Sequence, residues 1–151
     1  MVNINKILVP VDFSSCARAA LEYAIYFGNS LQATVIDVLH VWKPPRYFGP
    51  EQKVHGPEGK EQSLYDFARS AAGQEMKEFL AEIEQGGSYQ VHGRLETGAP
   101  YQTILEVAKT GTYDLIIMGA HGAAAAEKLG SIATKVVRNA TCPVLTIRAE
   151  D

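Results

Sequence analysis

Three glycines and a serine toward the carboxyl end have the types and spacing to hold a phosphate. Asp114-Leu115-Ile116-Ile117-Met118 is a hydrophobic run that passes straight into Gly119; Gly122 follows after two residues, and Gly130-Ser131 then opens a helical pattern. A glycine at a strand's end lets the backbone approach a ligand with no Cβ in the way. A helix amino terminus just beyond it supplies unpaired N–H groups and a positive dipole end, both suited to an anion. Asp12, at the end of an earlier strand-like run, has two uses: accepting from an adenine or ribose donor, or closing an Asx turn before the next helix. Ser131 is likewise either a phosphate ligand or a hydroxyl that starts its helix.

Other chemistries are poorly served. His40, His55, His92 and His121 are scattered without metal-type spacing to one another, to a cysteine or to a nearby carboxylate, so a zinc site is not expected. The chain has neither a Gly-x-x-x-x-Gly-Lys-Ser/Thr loop nor a Gly-x-Gly-x-x-Gly turn after its first strand, which argues against P-loop hydrolysis and against an NAD enzyme. No nucleophile and base present themselves as a pair, and any ATP hydrolysis is expected to be slow. His121 lies inside the glycine loop, where its backbone N–H is expected to line the site while the ring points outward. Lys128 is the only cation of that loop, and Glu127 beside it offsets its field.

The elements that must position these residues alternate. Ile7-Leu8-Val9 is an unbroken apolar run, as in a parallel strand covered on both faces. Ser14 or Ser15 caps a helix in which Ala17, Ala20, Leu21, Ala24 and Ile25 recur. A second strand runs from Thr34 to Val41, and a helix marked by Leu64, Phe67, Ala71, Met76, Phe79 and Ile83 stops at Gly86-Gly87. Tyr89 to Glu96 reads as the third strand, Pro100 opens a short helix carrying Ile104, Leu105 and Ala108, and Asp114 to Met118 is the fourth strand. Ser131 to Asn139 and Val144 to Ile147 close the chain as a helix and the fifth strand. Strict alternation of this kind predicts one α/β domain, an open five-stranded parallel sheet with helices on both faces, and a ligand at the strands' carboxyl ends. Residues 42–60 are expected to be a long loop, with Pro44, Pro45, Pro50 and Pro57 among the chain's 7 prolines. Trp42, Tyr47 and Phe48 there could rim an adenine, anchor the loop or meet a partner.

Composition is that of an ordinary globular chain: of 151 residues, 46% are hydrophobic and 21% charged. Fourteen Lys and Arg against 17 Asp and Glu give a net charge of −3 without a basic block, which argues against nucleic-acid binding. No run reaches the roughly 20 apolar residues of a membrane helix. With an amino terminus that enters a strand directly, and with Cys16 and Cys142 far apart, a reduced cytoplasmic setting without disulfides is expected.

Three segments together resemble the universal stress protein family. They are Ile7-Leu8-Val9-Pro10-Val11-Asp12-Phe13-Ser14, Leu39-His40-Val41, and Asp114 to Gly122 with Gly130-Ser131 and the ending Cys142-Pro143-Val144-Leu145-Thr146-Ile147. The resemblance covers nearly the whole chain apart from the Pro-rich loop. It implies a single adenine-nucleotide alpha-hydrolase-like domain with strand order 3-2-1-4-5 and a dimer, in a family with ATP-binding and non-binding groups. It also implies that Asp12 and the backbone of Val41 face the adenine, while Gly119, Gly122, Gly130 and Ser131 surround the phosphates. Pro10, Val11, Met118, His121 and Ile132 complete the expected set, with Mg2+ accompanying ATP.

The chain departs from the family's ATP-binding pattern at one point. That pattern places nine residues between the second and third glycines, whereas seven (Ala123 to Leu129) separate Gly122 from Gly130 here. Two residues fewer shorten an extended loop by about 7 Å. Four successive alanines, Ala123 to Ala126, also leave it without side-chain donors. The expectation is an adenine nucleotide whose contacts near the γ-phosphate are weakened. The alternative is a dimeric interaction protein, with an unidentified partner, in which the short loop has closed the pocket. An enzyme on adenylated substrates would need a reactive group in residues 42–60, which offer only His55 and a few charges. Finally, the fifth strand would be a sheet edge, suited to pairing with its own copy across a two-fold axis.

Overall fold

The computed structural model describes residues 1–33, 35–44, 52–56, 58–83, 87–122 and 128–149. Its central sheet is built from β1 (Lys6–Pro10), β2 (Val35–Trp42), β5 (Gln90–Thr97), β6 (Leu115–Gly119) and β7 (Val144–Ile147). They run parallel in the order β5-β2-β1-β6-β7, which is 3-2-1-4-5 counted over these five strands. Register is fixed by pairs such as Pro10 with Leu39, Ile7 with Leu115 and Gly119 with Ile147.

Side-chain alternation explains the layers. Ile7 and Val9 point to one face, where α1 (Ser15–Leu31) and α2 (Leu64–Ala81) bring Ala20, Leu21, Ala24 and Phe79 against them. Leu8 points to the other, onto α3 (Pro100–Thr110) and α4 (Ser131–Asn139), where Leu39, Ile104, Ile116 and Val136 enclose it. Ile7, Leu8, Leu39, Ile116 and Ile117 are fully buried, each such side chain contributing about 1.5–3 kcal/mol. These two cores hold the strand ends still.

Helix starts follow side-chain chemistry. Ser14 Oγ accepts from the Ala17 N–H at 3.2 Å, and Ser63 does the same for Asp66 in α2 at 3.0 Å. Asp114 lies just before β6 and accepts from the backbone N–H groups of Asn5 and Lys6, which ties the starts of β1 and β6 together.

One expectation is corrected. The stretch 42–60 is not simply a loop: β3 (Lys53–His55) and β4 (Glu61–Ser63) pair as an antiparallel hairpin that leads directly into α2. Strict strand–helix alternation is therefore interrupted between β2 and α2. Gly59, at φ +74°, makes the reversal where an L side chain would be strained. Tyr47, Phe48, Pro45, Pro50 and Pro57 lie outside the described residues, as do Thr34 and Gly86. Trp42 belongs to β2 and packs edge-on against Tyr65 of α2, with ring centroids 4.8 Å apart.

Candidate functional site

The chain leaves β1 toward β2 on one side and, later, β6 toward β7 on the other, so the strand order reverses between β1 and β6. A cleft opens at the carboxyl ends of strands in such a place. Here it encloses about 370 Å³, within the range of small-ligand sites, about 300–1,000 Å³. Pro10, Val11 and Asp12 at the end of β1 form one wall, with Val41 from β2. Met118, Gly119, His121 and Gly122 come from β6 and its continuation, and Gly130, Ser131 and Ile132 from the start of α4.

The turn after β1 sets the position of Asp12. Phe13 adopts a left-handed conformation, φ 64°, which a bulky residue takes only when its surroundings enforce it. Its ring is held by His40 at 4.5 Å and by Phe79 at 5.4 Å between centroids. Asp12 itself is exposed, and Oδ1 accepts from the Ser14 N–H at 3.1 Å, an Asx turn. Oδ2 faces the opposite wall: a Cβ placed on Gly122 would lie 2.8 Å from it. The turn and an open acceptor therefore coexist in one carboxylate.

The glycines are where a side chain would fill the cleft or crowd its floor. A Cβ on Gly119 would come within 3.2 Å of Cys16, whose buried thiol donates to the Ile147 carbonyl at 2.9 Å. Gly130 donates to the Ala120 carbonyl at 2.7 Å, and its own Cβ would lie 3.2 Å from the His121 Cα. The two ends of the short loop are thus clamped together, with α4 starting beside β6.

The α4 terminus corrects one reading of Ser131. Gly130 is the N-cap, in extended conformation, and no side chain caps the helix. Ser131 is the first helical residue, so its hydroxyl is not the cap; the Gly130 carbonyl instead accepts from both the N–H and Oγ1 of Thr134. By helix geometry the N–H groups of Ser131, Ile132 and Ala133 have no acceptor within the helix. The His121 ring lies against the adjacent Gly122 carbonyl, at 3.1 Å from Nδ1. Lys128 is exposed and does not line the cleft.

Several lining residues were not in the expected site set: Ala17, Leu39, His40, Pro100, Ile104 and Ala133. Leu39 shares a face with Val41 by strand periodicity, and Ile104 follows Pro100 by one helical turn, so pattern could have found these. His40 gave no such signal; its Nδ1 lies 2.9 Å from the Val11 carbonyl. Among the described residues no group of three His, Cys, Asp or Glu is placed to hold a metal ion. Both cysteines are free thiols, and burial pushes Cys142 above the usual thiol range.

A second polar cluster lies at the β5 side of the sheet. Tyr113 is buried and donates to Asp37 Oδ2, and burial together with that carboxylate pushes its hydroxyl up to about 12. His92 Nδ1 lies 3.3 Å from Asp37 Oδ1, a His–carboxylate pair that sequence spacing did not show. Arg94 donates to Glu96 at 2.8 Å, which raises the guanidinium further above its ordinary value.

Comparison with known proteins adds to this geometry. A model of the universal stress protein family matches residues 3–148. Universal stress protein MJ0531 of Methanocaldococcus jannaschii is 29% identical over 146 residues, spanning 95% of this chain and 82% of that protein. The solved structure of MJ0577 from the same organism is 28% identical, with a TM-score of 0.80 over 99% of both chains. Two solved structures of lower identity share the fold. One is a universal stress protein in complex with cAMP (18% identical, TM-score 0.69, 97% of this chain and 98% of that one). The other is an Arabidopsis thaliana family protein with AMP bound (19%, TM-score 0.62, 97% and 92%).

Proposed function

The chain belongs to the universal stress protein family, and from that premise we propose that it is a stress-response regulator that binds an adenine nucleotide between β1 and β6. The observation that carries this reading is the convergence of Gly119, Gly122 and the Gly130-Ser131 helix start on one cleft, opposite Asp12. A Cβ at Gly122, which lines the cleft, would crowd Asp12 Oδ2 at 2.8 Å. Asp12 Oδ2 and the Val41 backbone take the base side, and the N–H groups at the start of α4 take phosphate. Family structures holding AMP and cAMP lend support. Mg2+ would enter only as the companion of a polyphosphate.

Binding rather than turnover is the proposed activity. Among the described residues, the titratable side chains along the cleft are Asp12, His40 and His121. Asp12 holds the turn and His40 the Val11 carbonyl, so both act as structural supports. The regulator is proposed to act in the cytoplasm as a dimer through β7, an edge strand of the sheet whose Val144 and Leu145 are only partly covered. Sedimentation of a monomer at tens of micromolar would contradict that part.

A second reading, an interaction protein without nucleotide, is favoured by the clamped ends of the loop. One experiment separates the two. Protein purified without added nucleotide is denatured and the released small molecules are identified by mass spectrometry, with calorimetric titration of AMP and ATP alongside. Co-purifying or micromolar adenine nucleotide is expected; no released nucleotide and no heat at millimolar concentration would support the interaction protein.

A further inference from the structure

The cleft is poor in positive charge. Its lining, among the described residues, includes no lysine or arginine, and its one carboxylate, Asp12, aims Oδ2 across it. The lysines that flank the start of α4 in sequence do not line the cleft. Lys135, one turn further along α4, lies over the Tyr101 ring at 4.7 Å, and Lys128 is exposed outside the lining. Between Gly122 and Gly130 the sequence holds four alanines, Glu127, Lys128 and Leu129, so the loop adds no net positive charge.

What the cleft does offer an anion is the start of α4, worth about half a positive charge, together with a few backbone donors. Gly130 has already given its N–H to Ala120, which leaves those of Ser131, Ile132 and Ala133. A phosphate monoester brings about −1.5 to −2 charge at pH 7, and each further phosphoryl group adds more. One phosphate can use the helix terminus; a second and third would share a cleft with Asp12 whose lining, among the described residues, has no side-chain cation to offset them.

Resting on the nucleotide reading above, we infer that the cleft selects adenosine carrying a single phosphate, AMP or a cyclic monophosphate, over ATP. The discrimination comes from unbalanced charge, and it follows that neutralising the polyphosphate should erase it. Mg2+ should therefore raise ATP affinity while leaving AMP unchanged. A cation added to the lining should do the same. Ile132 suits this test because it lines the cleft and is 40% exposed, so a lysine there tolerates folding.

The test is calorimetric titration of the full chain, stripped of bound small molecules, with AMP and ATP in EDTA and then in Mg2+. The expected result is AMP at least tenfold tighter than ATP in EDTA. That gap should narrow severalfold both with Mg2+ and in Ile132→Lys, through tighter ATP binding. ATP binding as tightly as AMP in EDTA would overturn the inference while leaving the nucleotide reading intact. An equal gain for both ligands in Ile132→Lys would also overturn it, since charge shortage would then not be the cause. No binding of either nucleotide at millimolar concentration would remove the nucleotide reading itself, and the inference with it.

Discussion

Two polar regions of this molecule are built in opposite ways. At the β5 side, side chains satisfy one another: both oxygens of Asp37 have partners, in Tyr113 and His92, and Arg94 has Glu96. In the β1–β6 cleft the groups are left open. Asp12 uses one oxygen on the Ser14 N–H and has no partner for the other among the described residues, and the α4 start has no side-chain cap. A filled network ties elements together; an unfilled set of donors and acceptors beside a cavity is what a ligand completes. On the proposed reading the more perturbed ionisable group does not mark the site: Tyr113 is shifted by burial within the scaffold, whereas the cleft would act through backbone groups and shape.

If that division holds, substitutions in the two regions should separate binding from stability. Gly122→Val places a side chain against Asp12 Oδ2 at an exposed position. It should cost at least 100-fold in AMP affinity, about 2.7 kcal/mol, while chemical denaturation stays within about 0.5 kcal/mol of the parent. Asp37→Ala should do the reverse. It leaves the buried Tyr113 hydroxyl without its acceptor, at a cost of about 1–3 kcal/mol in denaturation, with AMP affinity within about twofold. An unchanged stability for Asp37→Ala would break the comparison from the scaffold side.

Smaller effects sharpen it. Ser14→Ala removes the α1 cap bonded to Ala17 and should lower stability by about 1 kcal/mol. Because Asp12 is held by the Ser14 backbone N–H, nucleotide affinity should survive, as titration would show. The slightest effect is alkaline. Burial raises the folded Tyr113 to about 12 from an ordinary 10.0, so its contribution to stability is complete below pH 10 and is lost as pH climbs toward 12. Tyr113→Phe should flatten the fall of thermal stability in that window; an identical fall would place its cause elsewhere.

Much of this was legible in the residues. The apolar runs of β1 and β6 announced buried parallel strands, and α4 and β7 have the bounds that their sequence patterns predicted. Short polar strands announce little: Lys53–His55 and Glu61–Ser63 have three residues each and no extended alternation, so the hairpin that starts inside 42–60 and ends just beyond it was not seen. Phe13 was equally silent, because left-handed backbone is signalled by Gly or Asn and here it is imposed by His40 and Phe79. Tyr113 and Asp37 meet across 76 positions, a contact that only the assembled sheet creates. Ser131 missed its cap role because it is the first residue inside the helix, and the N-cap position falls on Gly130, which has no side chain to offer. The glycines, by contrast, were readable because their position at a strand end carries its own physical reason.

The most direct test of the account is a backbone amide NMR titration of the full chain with AMP. The expected result is saturable shifts at Gly119, Gly122, Ser131 and Ile132, with His92, Arg94 and Tyr113 unmoved. Saturable shifts centred on the β5 cluster, or none anywhere at millimolar AMP, would contradict it.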